Sequence, residues 1–181
     1  MKKMMFVIAS VLLFSCNKKV KEIASGDLPF FVFDQVEYYH IDLSKTALDS
    51  IVFLHDKSDK DLALLQIVKG KIPVSSIDTL FIPNMEVLHF HKKELDTTDF
   101  KKLNELFSKR EAKKQESTTN CNSYYKDLLI FRNKTKFIGV AKLDLECGKS
   151  LITGARYNTE AFGASGEFTE LKQLISKFSE Q

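Results

Sequence analysis

The run Tyr124-Tyr125-Lys126-Asp127-Leu128-Leu129-Ile130-Phe131-Arg132-Asn133-Lys134-Thr135-Lys136-Phe137-Ile138-Gly139-Val140-Ala141-Lys142-Leu143-Asp144-Leu145-Glu146 decides the fold class. Two stretches rich in β-branched and aromatic residues, 124–131 and 137–146, flank Asn133-Lys134-Thr135, which is turn material. They predict an antiparallel hairpin. Centring it on Lys134 sets Phe131 opposite Phe137, Leu129 opposite Gly139 and Tyr125 opposite Leu143. The odd-numbered face is then mainly apolar, with Asp127 the exception. The other face mixes Lys126, Lys142, Asp144 and Glu146 with Ile130, Ile138 and Val140, so the hairpin needs cover on both sides near its turn.

Working outward, residues 150–157 read as a third antiparallel strand and 159–166 as a loop. Residues 167–178 form an amphipathic helix with Phe168, Leu171, Leu174, Ile175 and Phe178 on one stripe. Upstream, residues 35–43 alternate imperfectly and read as a strand, preceded by an apolar extended segment, 28–33. Ser44 can cap a helix over 45–54 with Leu48, Ile51 and Val52 on one face. Ser58 can cap another over 59–69, with Leu62, Leu65 and Gln66 at helical spacing and Gly70 as its stop. Pro83 suits the first turn of a short helix. Asp96 opens a longer helix over 97–114, striped by Phe100, Leu103 and Phe107, with Lys109, Arg110, Lys113 and Lys114 at its negative end. The expectation is one α+β domain over 28–181: an antiparallel sheet of about four strands packed against several helices.

The first residues address the chain. Lys2 and Lys3 precede a run of 12 uncharged, mostly apolar residues, 4–15. A bilayer-spanning helix takes about 20 residues, so this run has the length of a secretory signal instead. Leu13-Phe14-Ser15-Cys16 resembles a bacterial lipobox, with an aliphatic residue at −3, a small residue at −1 and a cysteine; Phe14 is bulkier than the usual −2 residue. The resemblance implies diacylglycerol on the Cys16 sulfur, cleavage after Ser15 and acylation of the new terminus. Each buried methylene contributes about 0.8 kcal/mol, so two or three long chains such as palmitate hold indefinitely. Residues 1–15 are then the signal peptide and 16–27 the lipidated tether, leaving 166 of the 181 residues in the mature chain. The formal charge of +3 falls to +1 when Lys2 and Lys3 are subtracted. That near-neutrality, with only three arginines (Arg110, Arg132 and Arg156), argues against nucleic acid as a partner.

The hairpin register also sets Cys121 opposite Cys147. With Cys16 consumed by lipid, these are the two remaining cysteines, and an exported domain is oxidising territory, so a structural disulfide is expected. Redox pairs favour C-x-x-C spacing and metal sites need more clustered ligands, neither of which fits.

From Cys121 to Phe168, a little over a quarter of the chain, the pattern resembles a group of small lipoproteins from Bacteroidota. The matching elements are the cysteine, the 124–131 strand, the short turn, the strand ending in Glu146-Cys147-Gly148, and the closing helix. Members often carry a further cysteine three residues before Cys147, where this chain has Asp144. The group brings no activity to transfer. Asn17-Lys18-Lys19 lacks the acidic run associated with surface export in such bacteria, which favours an outer-membrane anchor with the domain facing the periplasm.

Candidate chemistry is sparse. His89-Phe90-His91 would direct both imidazoles to one face of a strand, an incomplete metal pair. His40 and His55 stand alone in the sequence. Asp34, Glu37 and Asp42 are candidate paired acids near a strand. Gly163-Ala164-Ser165-Gly166 precedes a helix but lacks the P-loop lysine, so it reads as a cap. No nucleophile elbow is present, and no catalytic residue, metal or cofactor is assigned. The leading expectation is a non-enzymatic, membrane-anchored envelope lipoprotein that binds a protein partner. The alternatives are an envelope hydrolase whose site assembles only in three dimensions, and an inhibitor or immunity lipoprotein.

Overall fold

A computed structural model describes residues 28–109 and 121–179. The expected signal peptide (1–15), Cys16, the rest of the expected tether (17–27), and Arg110, Lys113 and Lys114 lie outside the described residues. In chain order the elements begin with β1 (Leu28–Pro29), β2 (Gln35–His40), α1 (Lys45–Phe53), α2 (Asp59–Val68), α3 (Phe81–Val87) and β3 (His91–Glu94). A 3-10 turn (Thr97–Asp99) then runs into α4 (Phe100–Leu106), followed by β4 (Ser108–Lys109), β5 (Asp127–Asn133), β6 (Lys136–Asp144), β7 (Lys149–Thr153) and α5 (Glu167–Ser179). A five-stranded antiparallel sheet has the order β3-β2-β5-β6-β7, and β1 pairs with β4 apart from it. The expected sheet of about four strands thus gains an edge strand, β3. Its sequence, His-Lys-Lys-Glu, carries no apolar alternation because an edge position tolerates charge on both faces.

Strand periodicity divides the core in two. One face of the sheet (Val36, Tyr38, Leu129, Phe131, Ala141, Leu143) packs against Phe30 and Phe31, α4 and α5. The other (Tyr39, Leu128, Ile130, Val140) packs against Leu48 of α1, Leu64, Ile67 and Val68 of α2, and Phe81 and Met85 of α3. The hairpin is therefore covered on both sides, as its mixed faces required. Each fully buried large apolar side chain contributes roughly 1.5–3 kcal/mol. Phenylalanines dominate the first layer: Phe31 stacks on Phe131 with centroids 4.2 Å apart, and Phe107 stacks on Phe162 at 5.0 Å. Gly139 makes this possible, because a Cβ there would lie 2.4 Å from Phe31 Cε1 and 2.5 Å from the Thr153 carbonyl oxygen.

The hairpin register differs from the expected one. The turn is a two-residue loop, Lys134-Thr135, with φ of 48° and 66°. Two successive left-handed residues match the twist of the flanking strands. A register irregularity at Phe131/Arg132 then sets Phe131 opposite Gly139, Leu129 opposite Ala141 and Asp127 opposite Leu143. Beyond the irregularity the pairing is displaced by two residues, so Leu129, Phe131, Ala141 and Leu143 keep the expected face; nearer the turn the faces exchange, with Phe137 packing against Phe81 in the second layer and Ile138 against the first.

Helix caps fall where the sequence placed them. Ser44 accepts from the Ala47 amide, and Ser58 and Asp61 form a reciprocal capping box. Two expectations for helices fail. The buried face of α2 is Leu64, Ile67 and Val68, while Leu62 is 46% exposed; several overlapping stripes fit this apolar-rich helix, and contact with the sheet selects one. The helix expected over 97–114 stops at Leu106, because Ser108 and Lys109 pair with Pro29 and Leu28 and the Phe30 amide donates to the Phe107 carbonyl at 2.7 Å. Among the described residues no helix is long and apolar enough to cross a membrane.

Candidate functional site

A groove of about 270 Å³ opens where β2 leaves the sheet between α2 and α3. Leu43, Leu64, Val87 and Leu88 supply its apolar lining, and Asp42, Lys60, Asp61, His89 and His91 its polar groups. The Ser58 capping box fixes the α2 side: hydrogen bonds from the Ser58 hydroxyl and amide hold the Asp61 carboxyl below its usual pKa. The other wall follows from how α3 ends. Leu88 is the cap, the Phe90 amide donates to Met85 O at 2.9 Å, and the His89 amide donates to Glu86 O at 3.1 Å. This is the Schellman pattern, and His89, at φ 65°, occupies the left-handed position usually held by glycine.

That geometry corrects the reading of His89-Phe90-His91 as one strand. His89 terminates α3, buried Phe90 packs into the core beside Met85, and His91 begins β3, so the imidazoles do not share a strand face. Both line the groove, but no three His, Cys, Asp or Glu groups among the described residues are gathered to hold a metal ion.

His91 instead lies directly across from His40 on β2. His40, isolated in the sequence, belongs to a cluster: Asp127 Oδ1 accepts from the Tyr38 hydroxyl at 2.5 Å and lies 2.8 Å from His40 Nδ1. Burial first, and the Asp127 charge second, push the Tyr38 hydroxyl far above the usual tyrosine range, so it stays a donor. A donor at Nδ1 facing the carboxylate directs Nε2 away from it, so Asp127 fixes the orientation of the ring. No local sequence signal announces this cluster, since Asp127 stands 87 residues from His40. The one hint was Asp127 as the polar exception on an apolar face.

The candidate acids do not converge. Asp34 accepts from the Lys134 amide at 3.0 Å and fastens the hairpin turn. Asp42 lines the groove. Glu37 is buried between Lys92 Nζ at 2.7 Å and Arg132 Nε at 2.9 Å. Burial alone would raise the Glu37 pKa, but the hydrogen bonds and charges of Lys92 and Arg132 outweigh it and hold the carboxyl below its usual range. A wider hollow of about 640 Å³, lined by Lys93, Glu94, Asp96, Asp99 and Lys177 among others, lies at the end of β3 beside the 3-10 turn.

Lys142 is the other group that sequence reading passed over. It is fully buried, and its ammonium donates to the carbonyls of Gly70 at 2.8 Å and Ile72 at 2.9 Å. Burial pushes its pKa down to about 7. It ties the α2–α3 connection to the sheet without any opening to solvent.

Cys121 and Cys147 come to disulfide distance, with Cα atoms 6.0 Å apart. The register that suggested the pair does not create it. The ladder ends at Asp127 and Leu143, and the cysteines meet beyond it, in the segment before β5 and the β6–β7 turn. Asp144 organises that meeting: its carboxylate accepts from the amides of Tyr124 (2.9 Å), Glu146 (3.1 Å) and Cys147 (2.9 Å). Before α5, Gly166 O accepts from the Thr169 amide and Glu167 Oε2 from the Ser165 amide at 2.8 Å, so this loop caps the helix as expected. Compared with known protein families, curated proteins and solved structures, the chain finds no match.

Proposed function

We propose that this is an envelope lipoprotein, held to a membrane by lipid on Cys16 with its domain in the periplasm, that binds a protein partner through the α2–α3 groove. The observation that carries the binding reading is the groove itself, an apolar lining edged by charged and imidazole groups, with Val87 57% exposed on its wall. A concave apolar surface with a few polar groups around it is how specific recognition sites are built. The likeness to small Bacteroidota lipoproteins and the lipobox support the location. A photocrosslinking residue in place of Val87, in native envelopes, is expected to give a discrete adduct that the same residue at exposed Glu160 does not. Identical adduct patterns at the two positions refute the groove as the binding surface. Palmitate incorporation should disappear in Cys16→Ala; equal labelling of wild type and variant refutes the anchor.

One observation favours the hydrolase alternative: the His40 ring is oriented by Asp127, as a general base is oriented. If an envelope hydrolytic activity copurifies, His40→Ala should abolish it, and retained activity removes this reading.

A further inference from the structure

The α2–α3 connection exposes large apolar side chains that neither core uses: Val74 is 72% exposed, Ile77 88% and Leu80 80%. Ile77 lies within a turn closed by the Asp78 amide on Ser75 O. The position of this loop is informative. On one face of the sheet, the Thr153 hydroxyl at the end of β7 donates to the Pro73 carbonyl at 3.1 Å, immediately before Val74. On the other face, Phe31 lies over Gly139 beside the same Thr153, and the Arg156 amide donates to Phe30 O at 2.9 Å. The apolar loop and the place where the described chain begins are thus at the same edge of the domain.

The 12 peptide steps from Cys16 to Leu28 reach at most about 40 Å in any conformation. Lipid on Cys16 would therefore hold the domain at the bilayer surface with this edge within reach of the headgroups. The 71–80 loop itself carries one cation, exposed Lys71, and one acid, Asp78, so no net negative charge opposes anionic headgroups, and exposed Lys69 lies just before it.

We infer that the 71–80 loop is a membrane-contacting element that sets Val74, Ile77 and Leu80 into the headgroup region of the bilayer to which Cys16 is tied. This inference rests on the lipid-anchor reading and deepens it. The domain then sits on the membrane in one orientation, with the loop down, rather than tumbling on its tether.

The test uses the full chain, acylated in its own envelope and reconstituted into phosphatidylethanolamine–phosphatidylglycerol vesicles. A nitroxide is attached at Ile77→Cys or, as reference, at Glu160→Cys; Cys16 and the Cys121–Cys147 pair are unreactive once acylated and oxidised. Both sites are exposed, so unchanged thermal unfolding is expected and is checked first. On vesicles the Ile77 label should gain collisions with lipid-soluble oxygen several-fold relative to a water-soluble nickel chelate, and the Glu160 label should not. Equal nickel access at both positions in an acylated sample overturns the contact and leaves the anchor standing. A label shielded from oxygen and nickel alike also overturns it, since protein then covers the loop. Absence of acyl chains on the native polypeptide removes anchor and contact together.

Discussion

Replacing Lys142 with methionine separates the effect of a buried amine from that of the side chain that carries it. Lys142 has no exposed surface, and burial lowers its pKa from 10.5 to about 7. Each unit is worth about 1.4 kcal/mol, so holding the ammonium inside at pH 6 costs on the order of 5 kcal/mol relative to the neutral amine. Because the folded pKa is depressed for a base, the unfolded chain binds more protons between pH 7 and 10.5. Wild-type stability from this group therefore rises with pH across that window and is flat outside it. Methionine removes the titration, fills similar volume, and leaves the Gly70 and Ile72 carbonyls without their donor, at about 1–3 kcal/mol for each. At pH 6 Lys142→Met should thus equal or exceed wild type in stability, and above pH 10.5 it should be weaker by several kcal/mol. The assay is urea unfolding of both proteins at pH 6, 8 and 10.5. Taking their difference cancels every other titrating group. A difference that stays constant with pH refutes the reasoning, because it means the amine already has the same pKa folded and unfolded.

Substitutions at three further positions probe the fold. Cys147→Ser should lose about 3–4 kcal/mol by denaturant unfolding, the loop-entropy value for a separation of 26 residues, and reductant should bring wild type to the same level. His89→Gly should raise stability by about 0.5–1 kcal/mol by relieving left-handed strain, whereas His89→Val should lower it, both read as midpoint shifts in urea. Gly139→Ala should cost about 1–3 kcal/mol through collision with Phe31 and the Thr153 carbonyl; a neutral result means that ring does not lie over the sheet.

Features encoded within a few residues were legible in the sequence. Ser44 and Ser58 announced their helices, and the stripe of Leu171, Leu174 and Ile175 announced α5, because hydrogen bonds and periodicity over one or two turns determine them. Features decided by distant partners were not. Nothing near Phe107 says that β1 will take residues 108 and 109 out of a helix. The left-handed His89 carries no glycine to mark it, so the sequence reads His89, Phe90 and His91 as one strand. The hairpin register differs from the expected one because the turn is centred between Lys134 and Thr135 rather than on Lys134, with an irregularity further along the ladder. The cysteine pair is insensitive to that difference, since two thiols on either side of one hairpin have few other partners. The Tyr38–Asp127–His40 cluster and the burial of Lys142 depend on strands and loops some 70–90 residues apart, and no periodicity carries such information.

The location of the protein underlies its proposed role, and the mass of its first peptide tests that location most directly. Intact protein is extracted from native membranes with detergent, digested, and its N-terminal fragment weighed. A peptide that starts at Cys16 and carries a diacylglycerol and an amide-linked acyl chain is the expected result. A peptide that retains Met1, or one that starts near residue 16 with a bare thiol, contradicts the account.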